Sequence, residues 1–136
     1  MLQALSTRAS RVWTFSLLAL CLVHVLAAMI VGISDNALGI LLLYLAAIAF
    51  VVAFVHPWQT PRQYLYLLCT SVLALAVSVT LHEVLEVGAG RFGRSTLSGW
   101  LLEGGGIAFF FIALVLCPVA IVIGAIGALL RWVDKL

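Results

Sequence analysis

The sequence predicts an all-α integral membrane protein with four transmembrane helices packed in an antiparallel bundle. Of its 136 residues 65% are hydrophobic and only 9% are charged, whereas about a quarter of residues are charged in soluble globular domains. The hydrophobic residues form four long runs, and a spanning helix needs about 20 such residues. Little of the chain is left for an extramembrane domain, so we expect any functional site within the bundle or at its edge.

The first span is expected at about residues 11–33. Arg8 and Arg11 precede this run as they would in a signal peptide, but the run is longer than the about 7 to 15 apolar residues of a signal sequence. We therefore expect it to be a retained helix. The residues Ser34-Asp35-Asn36 that follow are typical of a tight turn, because their side chains bond to the local backbone.

The second span, at about 37–55, carries no charge and ends before His56-Pro57, since proline disfavours helix at the preceding residue. His56 is expected to face water there. The third span is expected at about 63–87. It is followed by the polar and glycine-rich stretch 88–96, which predicts a loop on the non-cytoplasmic side.

The fourth span requires a break in the helical pattern. Residues 97–133 are almost continuously compatible with a helix, but that helix would be about 55 Å long, against about 30 Å of hydrocarbon. Gly104-Gly105-Gly106 is the expected break. It leaves an interfacial segment at 97–103 and a fourth span at about 107–130, kinked at Pro118 because proline removes a backbone donor.

Small residues follow this proline at close intervals. Ala120, Gly124 and Ala128 recur at every fourth position, with Gly127 beside them, a pattern that allows another helix to approach closely. The approaching helix belongs either to the same chain or to a second copy.

The positive charges predict the orientation of the bundle, since cytoplasmic loops are enriched in Lys and Arg. The side that bears both chain ends and the connection after the second span carries Arg8, Arg11, Arg62, Arg131 and Lys135. The other side carries Arg91 and Arg94. We therefore expect both termini in the cytoplasm. The four tryptophans then fall at the membrane interfaces: Trp13, Trp58, Trp100 and Trp132.

Acidic residues gather at the opposite, non-cytoplasmic end. His82 and Glu86 are four residues apart, and Glu83 and Glu86 are three apart, so each pair shares a helix face. With Glu103 they form a candidate site for a cation, a proton or a metal ion, since two ligands on one helix suit a four-residue spacing. The alternative is that these side chains mark the end of the hydrocarbon and form rim ion pairs, in which Asp35, Arg91 and Arg94 take part.

The cluster resembles the first half of a zinc-protease helix, but Glu86 stands where the second histidine of that motif would be. No second ligand motif follows, and no nucleophile with a neighbouring base is evident. We therefore predict no catalytic residues.

His24 lies near the middle of the first span, where a polar side chain needs a partner. It is a candidate either for hydrogen bonds to the hydroxyls of the third span, which are Thr70, Ser71, Ser78 and Thr80, or for ligation of a tetrapyrrole metal. A haem held by both His24 and His82 is excluded by a difference in depth of about 9 Å.

Three classes of function remain open. The first is a non-catalytic accessory, assembly or structural subunit of a larger membrane complex, favoured because the spans are plain and the loops short. The second is a homo-oligomeric cation or proton channel or transporter with an acidic outer mouth. The third is a metal- or tetrapyrrole-binding membrane protein, although the sequence names no cofactor. The expected partners are the lipid bilayer and other membrane subunits or further copies, with no nucleic acid, in the plasma (inner) membrane.

Overall fold

The computed structural model describes residues 7–33, 36–93 and 95–134, and these fold into helices with short connections. In chain order the elements are α1 (Arg8–Val31), α2 (Ala37–Val55), α3 (Pro61–Phe92), α4 (Leu97–Phe111), a π-helical segment (Ile112–Leu116) and α5 (Cys117–Val133). The last three follow one another as a single helix from Leu97 to Val133. Within the described ranges, four helices are long and apolar enough to cross a membrane, which confirms the predicted all-helical membrane class.

The helices form two groups, which we call the first hairpin (α1 and α2) and the second hairpin (α3, α4, the π segment and α5). α1 packs along α2, and α3 packs along both α4 and α5. α2 also contacts the π segment and α5, whereas α1 makes at most marginal contact with any other described helix. The apolar core therefore lies between α2, α3 and α5, and its buried members are Ala47, Val51, Val55, Tyr64, Val115, Val119, Ala120 and Ala128.

The described residues that flank residues 34–35 and residue 94 show the same arrangement of glycines. Gly32 ends α1 with φ of 86° and Gly93 ends α3 with φ of 79°, a region that side chains disfavour. A Cβ atom at Gly39 would overlap the carbonyl oxygen of Gly32, and one at Gly99 would overlap that of Gly93. In each hairpin, a glycine in the first turns of the second helix therefore packs directly on the carbonyl of the glycine that ends the first helix.

The small residues of α5 lie against α3 of the same chain. A Cβ atom at Gly124 would lie 2.9 Å from the backbone nitrogen of Leu68, and one at Gly127 would overlap the Tyr64 ring. Both Ala120 and Ala128 are buried. The sequence left open whether a helix of the same chain or of a second copy packs on this face. In the structure it is α3 of the same chain.

In the second hairpin the expected loop is shorter than predicted, and the expected break is wrong. Of the predicted loop 88–96, residues up to Phe92 belong to α3, and the predicted break at 104–106 and separate segment at 97–103 are part of continuous helix. A Cβ atom at Gly105 would lie 3.3 Å from Leu85. Gly105 and Gly106 lie against α3, whereas Gly104 faces open space. The helix continues through all three, although each glycine costs about 1 kcal/mol in a helix.

The π segment ends at Leu116, two residues before Pro118, and at its end the Cys117 amide donates to the carbonyl of Ile112, five residues earlier. Pro118 has no amide proton for the carbonyl four residues before it, that of Leu114. The Tyr44 hydroxyl of α2 donates to this carbonyl at 3.0 Å. Pro118 thus leaves the Leu114 carbonyl without a helical donor, and its bond to Tyr44 connects the two hairpins. The predicted bend of the helix axis at Pro118 stays a prediction.

Candidate functional site

His82 is the centre of the acidic cluster. Its Nδ1 lies 2.9 Å from the carbonyl oxygen of Gly106 on α4, and because a carbonyl only accepts, Nδ1 carries a proton. Its Nε2 lies 3.5 Å from a carboxylate oxygen of Glu86. His82 therefore bonds α3 to the backbone of α4 and lies beside the Glu86 carboxylate.

Two cavities meet at this histidine. The smaller, about 90 Å³, is lined by Glu86 and Glu103 as well as His82. The larger, about 330 Å³, is a groove in which Glu83 is the carboxylate beside His82. The four residues of the predicted site therefore lie near one another but line two different cavities. Their three carboxyl groups do not surround a single point where one ion could bind.

The geometry does not support a metal centre. The described part of the chain contains no group of three or more His, Cys, Asp or Glu side chains placed to hold a metal ion. Structural and catalytic zinc sites use at least three protein ligands, so the predicted metal site of His82, Glu83, Glu86 and Glu103 lacks a ligand set. The zinc-protease likeness has no structural counterpart.

Of the three residues predicted to form ion pairs at the rim, only Arg91 lies within the described residues. Arg91 is exposed in the last turn of α3 and forms no ion pair with any described residue. A cation at this position favours the negative end of the helix dipole. Asp35 and Arg94 lie outside the described residues.

His24 bonds within its own helix. Its Nδ1 lies 2.8 Å from the carbonyl oxygen of Leu20 and its ring is half-buried. The expected bonds to α3 do not form, since α1 packs on α2 instead. The hydroxyls of Thr70 and Thr80 donate to carbonyls of α3 itself. A tetrapyrrole ligated by His24 alone stays a prediction.

The structure contains a polar contact between α1 and α2 that the sequence analysis did not predict. The Thr14 hydroxyl donates to the Ala53 carbonyl at 3.2 Å, and Nδ1 of His56 donates to the same oxygen at 3.0 Å. Nε2 of His56 then accepts from the Ser10 hydroxyl at 3.2 Å. His56 is therefore half-buried in a bond network, where the sequence suggested a water-facing residue.

A signal for these bonds was present in the sequence. The carbonyls of Ala53 and Leu114 each lie four residues before a proline, Pro57 and Pro118, so neither can receive the usual helical bond. In a bilayer such an acceptor needs another donor. Tyr44 is the only hydroxyl-bearing side chain in α2, which identifies it as the donor available to that helix.

Comparison of the chain with models of protein families, with curated proteins and with solved structures found no match. The arrangement places His82 beside the Glu86 carboxylate and places a further carboxylate, Glu83, on a largely apolar groove. It contains no nucleophile beside a base among these residues.

Proposed function

We propose that this protein is a non-catalytic accessory, assembly or structural subunit of a larger membrane complex in the plasma (inner) membrane. Its partner would dock on the outer end of the second hairpin. The observation that carries the proposal is the length of that hairpin relative to the first.

The proposed topology is an antiparallel bundle with both termini in the cytoplasm. Support comes from the pairing of the second hairpin, in which Tyr64 of α3 meets Gly127 of α5, while His82, further along α3, meets Gly106. Positions that advance along one helix meet positions that recede along the other. The excess of Arg and Lys at the end that bears Trp58 and Trp132 supports the cytoplasmic assignment.

The second hairpin extends beyond the first. α2 and α3 both start from the connection at 56–60, but α2 has 19 residues and α3 has 32. At 1.5 Å per residue α3 reaches about 20 Å further. α4, which packs on the outer part of α3, makes at most marginal contact with α1 and α2 among the described residues. We call residues 84–107 of this extension the projecting hairpin.

The projecting hairpin carries apolar side chains on its surface. Seven large ones among its described residues are more than half exposed: Val84, Val87, Phe92, Leu97, Trp100, Leu101 and Ile107. Exposed apolar side chains are ordinary where a helix meets lipid, but α2 alone already spans the about 30 Å of hydrocarbon. Beyond that level, a group of large exposed apolar side chains is typical of an interaction site, and a partner subunit would cover it.

The test uses two tryptophans of equal exposure. Trp100 on the projecting hairpin is 66% exposed and Trp13 on α1 is 65% exposed. Membranes that express the wild type, Trp100→Ala or Trp13→Ala from the native locus would be solubilised in a mild detergent. The mass of the complex that contains the protein would then be measured by native electrophoresis.

We expect the wild type and Trp13→Ala in a complex well above the mass of the single chain, and Trp100→Ala largely released from it. A wild-type protein that migrates as a single chain contradicts the proposal. So does a complex that Trp100→Ala leaves intact.

A second candidate is a cation or proton channel or transporter, which is favoured by one observation. His82 lines both cavities and is adjacent to the carboxylates of Glu83, Glu86 and Glu103 in them. Purified protein in liposomes would be assayed for proton and monovalent cation flux, with Glu86→Gln and Glu103→Gln as variants. Flux in the wild type that both variants abolish supports this candidate, and absent or unchanged flux rejects it.

A further inference from the structure

The larger cavity is a groove with an acidic mouth and apolar walls. Its inner part is formed by Leu75 and Val79 of α3 and by Leu114 of the π segment. Its outer part is formed by Glu83, His82 and Phe110. The volume of about 330 Å³ falls at the lower end of the about 300 to 1,000 Å³ typical of sites for small organic ligands.

The groove runs from the hydrocarbon to its boundary. α3 begins at Pro61, so at 1.5 Å per residue Leu75 lies about 21 Å along the helix and Glu83 about 33 Å. With a hydrocarbon thickness of about 30 Å, the inner end is within the apolar layer and the mouth is level with the headgroups. A molecule that fills the groove therefore needs an apolar body and a polar end.

The carboxylate at the mouth is uncompensated within the described part of the chain. Glu86 is engaged by His82, whereas Glu83 forms no hydrogen bond or ion pair with any described residue. Both ring nitrogens of His82 already have neighbours, Gly106 and Glu86. Glu83 is exposed at the level of the headgroups and carries a negative charge, so the charge that complements this mouth is positive.

An aromatic ring lines the same groove as that carboxylate. Phe110 packs on His82 with ring centroids 5.3 Å apart and remains 41% exposed. Aromatic faces attract ammonium groups, quaternary ones included, while a small metal ion needs several oxygen or nitrogen ligands. One free carboxylate, one ring and an apolar groove match an organic ammonium ion better than an inorganic cation.

We propose that this groove binds a hydrophobic organic monocation of the alkylammonium class. Its ammonium group lies between the Glu83 carboxylate and the Phe110 ring, and its alkyl body lies along Leu75, Val79 and Leu114. The inference is independent of the accessory role, because it concerns a lipid-facing groove below the projecting hairpin.

The probe for the test is octyltrimethylammonium, and octanol is its neutral counterpart. Purified wild-type protein in nanodiscs would be titrated with each by calorimetry, with empty nanodiscs subtracted to remove partitioning into lipid. The decisive variant is Glu83→Gln, which keeps the shape of an exposed side chain and removes its charge. Asp134→Asn is the matched control, since it removes one carboxylate at the opposite end of the protein, where Asp134 pairs with Arg131.

We expect saturable binding of one octyltrimethylammonium per chain to the wild type and to Asp134→Asn, and at least tenfold weaker binding to Glu83→Gln. Leu75→Trp, which fills the inner end of the groove, should also weaken binding at least tenfold. Absence of saturable binding to the wild type overturns the proposal, as does equal affinity for Glu83→Gln. Equally tight saturable binding of octanol would show a groove for any alkyl chain and would overturn the role of the ammonium group.

Discussion

Replacing Tyr44 with Phe tests whether a side chain completes the backbone bond that Pro118 removes. The substitution keeps the aromatic ring and deletes only the hydroxyl, which donates to the Leu114 carbonyl at 3.0 Å. Leu114 is 50% exposed, but lipid rather than water surrounds a membrane span, so loss of the hydroxyl leaves the carbonyl without a donor. An unsatisfied acceptor of this kind costs about 1 to 3 kcal/mol. Interhelical hydrogen bonds in membranes average about 0.6 kcal/mol and reach about 1.7 kcal/mol. We therefore expect Tyr44→Phe to lower the free energy of unfolding by about 1 to 2 kcal/mol.

The second arm of this experiment is Pro118→Ala, which restores an amide proton four residues after Leu114. In that background the carbonyl regains a helical partner, so Tyr44→Phe should cost less than about 0.5 kcal/mol, as a substitution away from any special feature does. The double-mutant cycle then gives a coupling energy of about 1 kcal/mol between Tyr44 and Pro118.

The assay is reversible unfolding in mixed micelles at increasing mole fraction of sodium dodecyl sulphate, followed by circular dichroism. Tyr66→Phe is the matched control, because Tyr66 is 71% exposed and should tolerate loss of its hydroxyl. Additive effects of Tyr44→Phe and Pro118→Ala would refute the reasoning, since the hydroxyl would then have no connection with the missing amide.

Two further predictions use the same unfolding assay. Gly39→Ala should destabilise the protein by at least about 2 kcal/mol, because the new methyl group would overlap the backbone carbonyl of Gly32, which has no rotamer to change. Gly90→Ala, where a Cβ atom meets nothing within 4 Å, should stabilise α3 by up to about 1 kcal/mol, and equal effects at the two glycines would contradict this. Thr14→Val should cost about 1 kcal/mol, because Thr14 is 1% exposed and its hydroxyl donates across to α2. Thr80→Val, whose hydroxyl bonds its own helix, should cost less, and the reverse order would be evidence against the α1–α2 contact.

Local sequence patterns predicted the helices correctly where one physical constraint, the thickness of the bilayer, determines their length. The first two spans follow directly from apolar runs bounded by a polar turn and by Pro57, and the structure ends α2 at Val55 as predicted. Length alone decided these elements, since each run matches one crossing of the bilayer.

The second hairpin shows where that reasoning fails. Gly104, Gly105 and Gly106 suggested a break because glycine weakens an isolated helix and because a helix longer than the bilayer seemed excluded. Contacts between α3 and α4 make both reasons invalid. The two helices pack on each other beyond the first hairpin, so a long helix is stable there, and glycine allows their close approach. The predicted gathering of His82, Glu83, Glu86 and Glu103 depended on which faces the two helices present, and the structure divides it between two cavities.

What the sequence determined by itself is the membrane class, the helical content and the two backbone carbonyls, of Ala53 and Leu114, that proline leaves without a helical donor. These follow from composition, run length and covalent structure, and they need no knowledge of neighbours. Only the tertiary structure decided which hydroxyls supply the missing donors, that α1 packs on α2 rather than on α3, and that the second hairpin outreaches the first. Each of these depends on which helix faces meet, and side-chain contacts between distant segments are fixed by packing rather than by any local pattern.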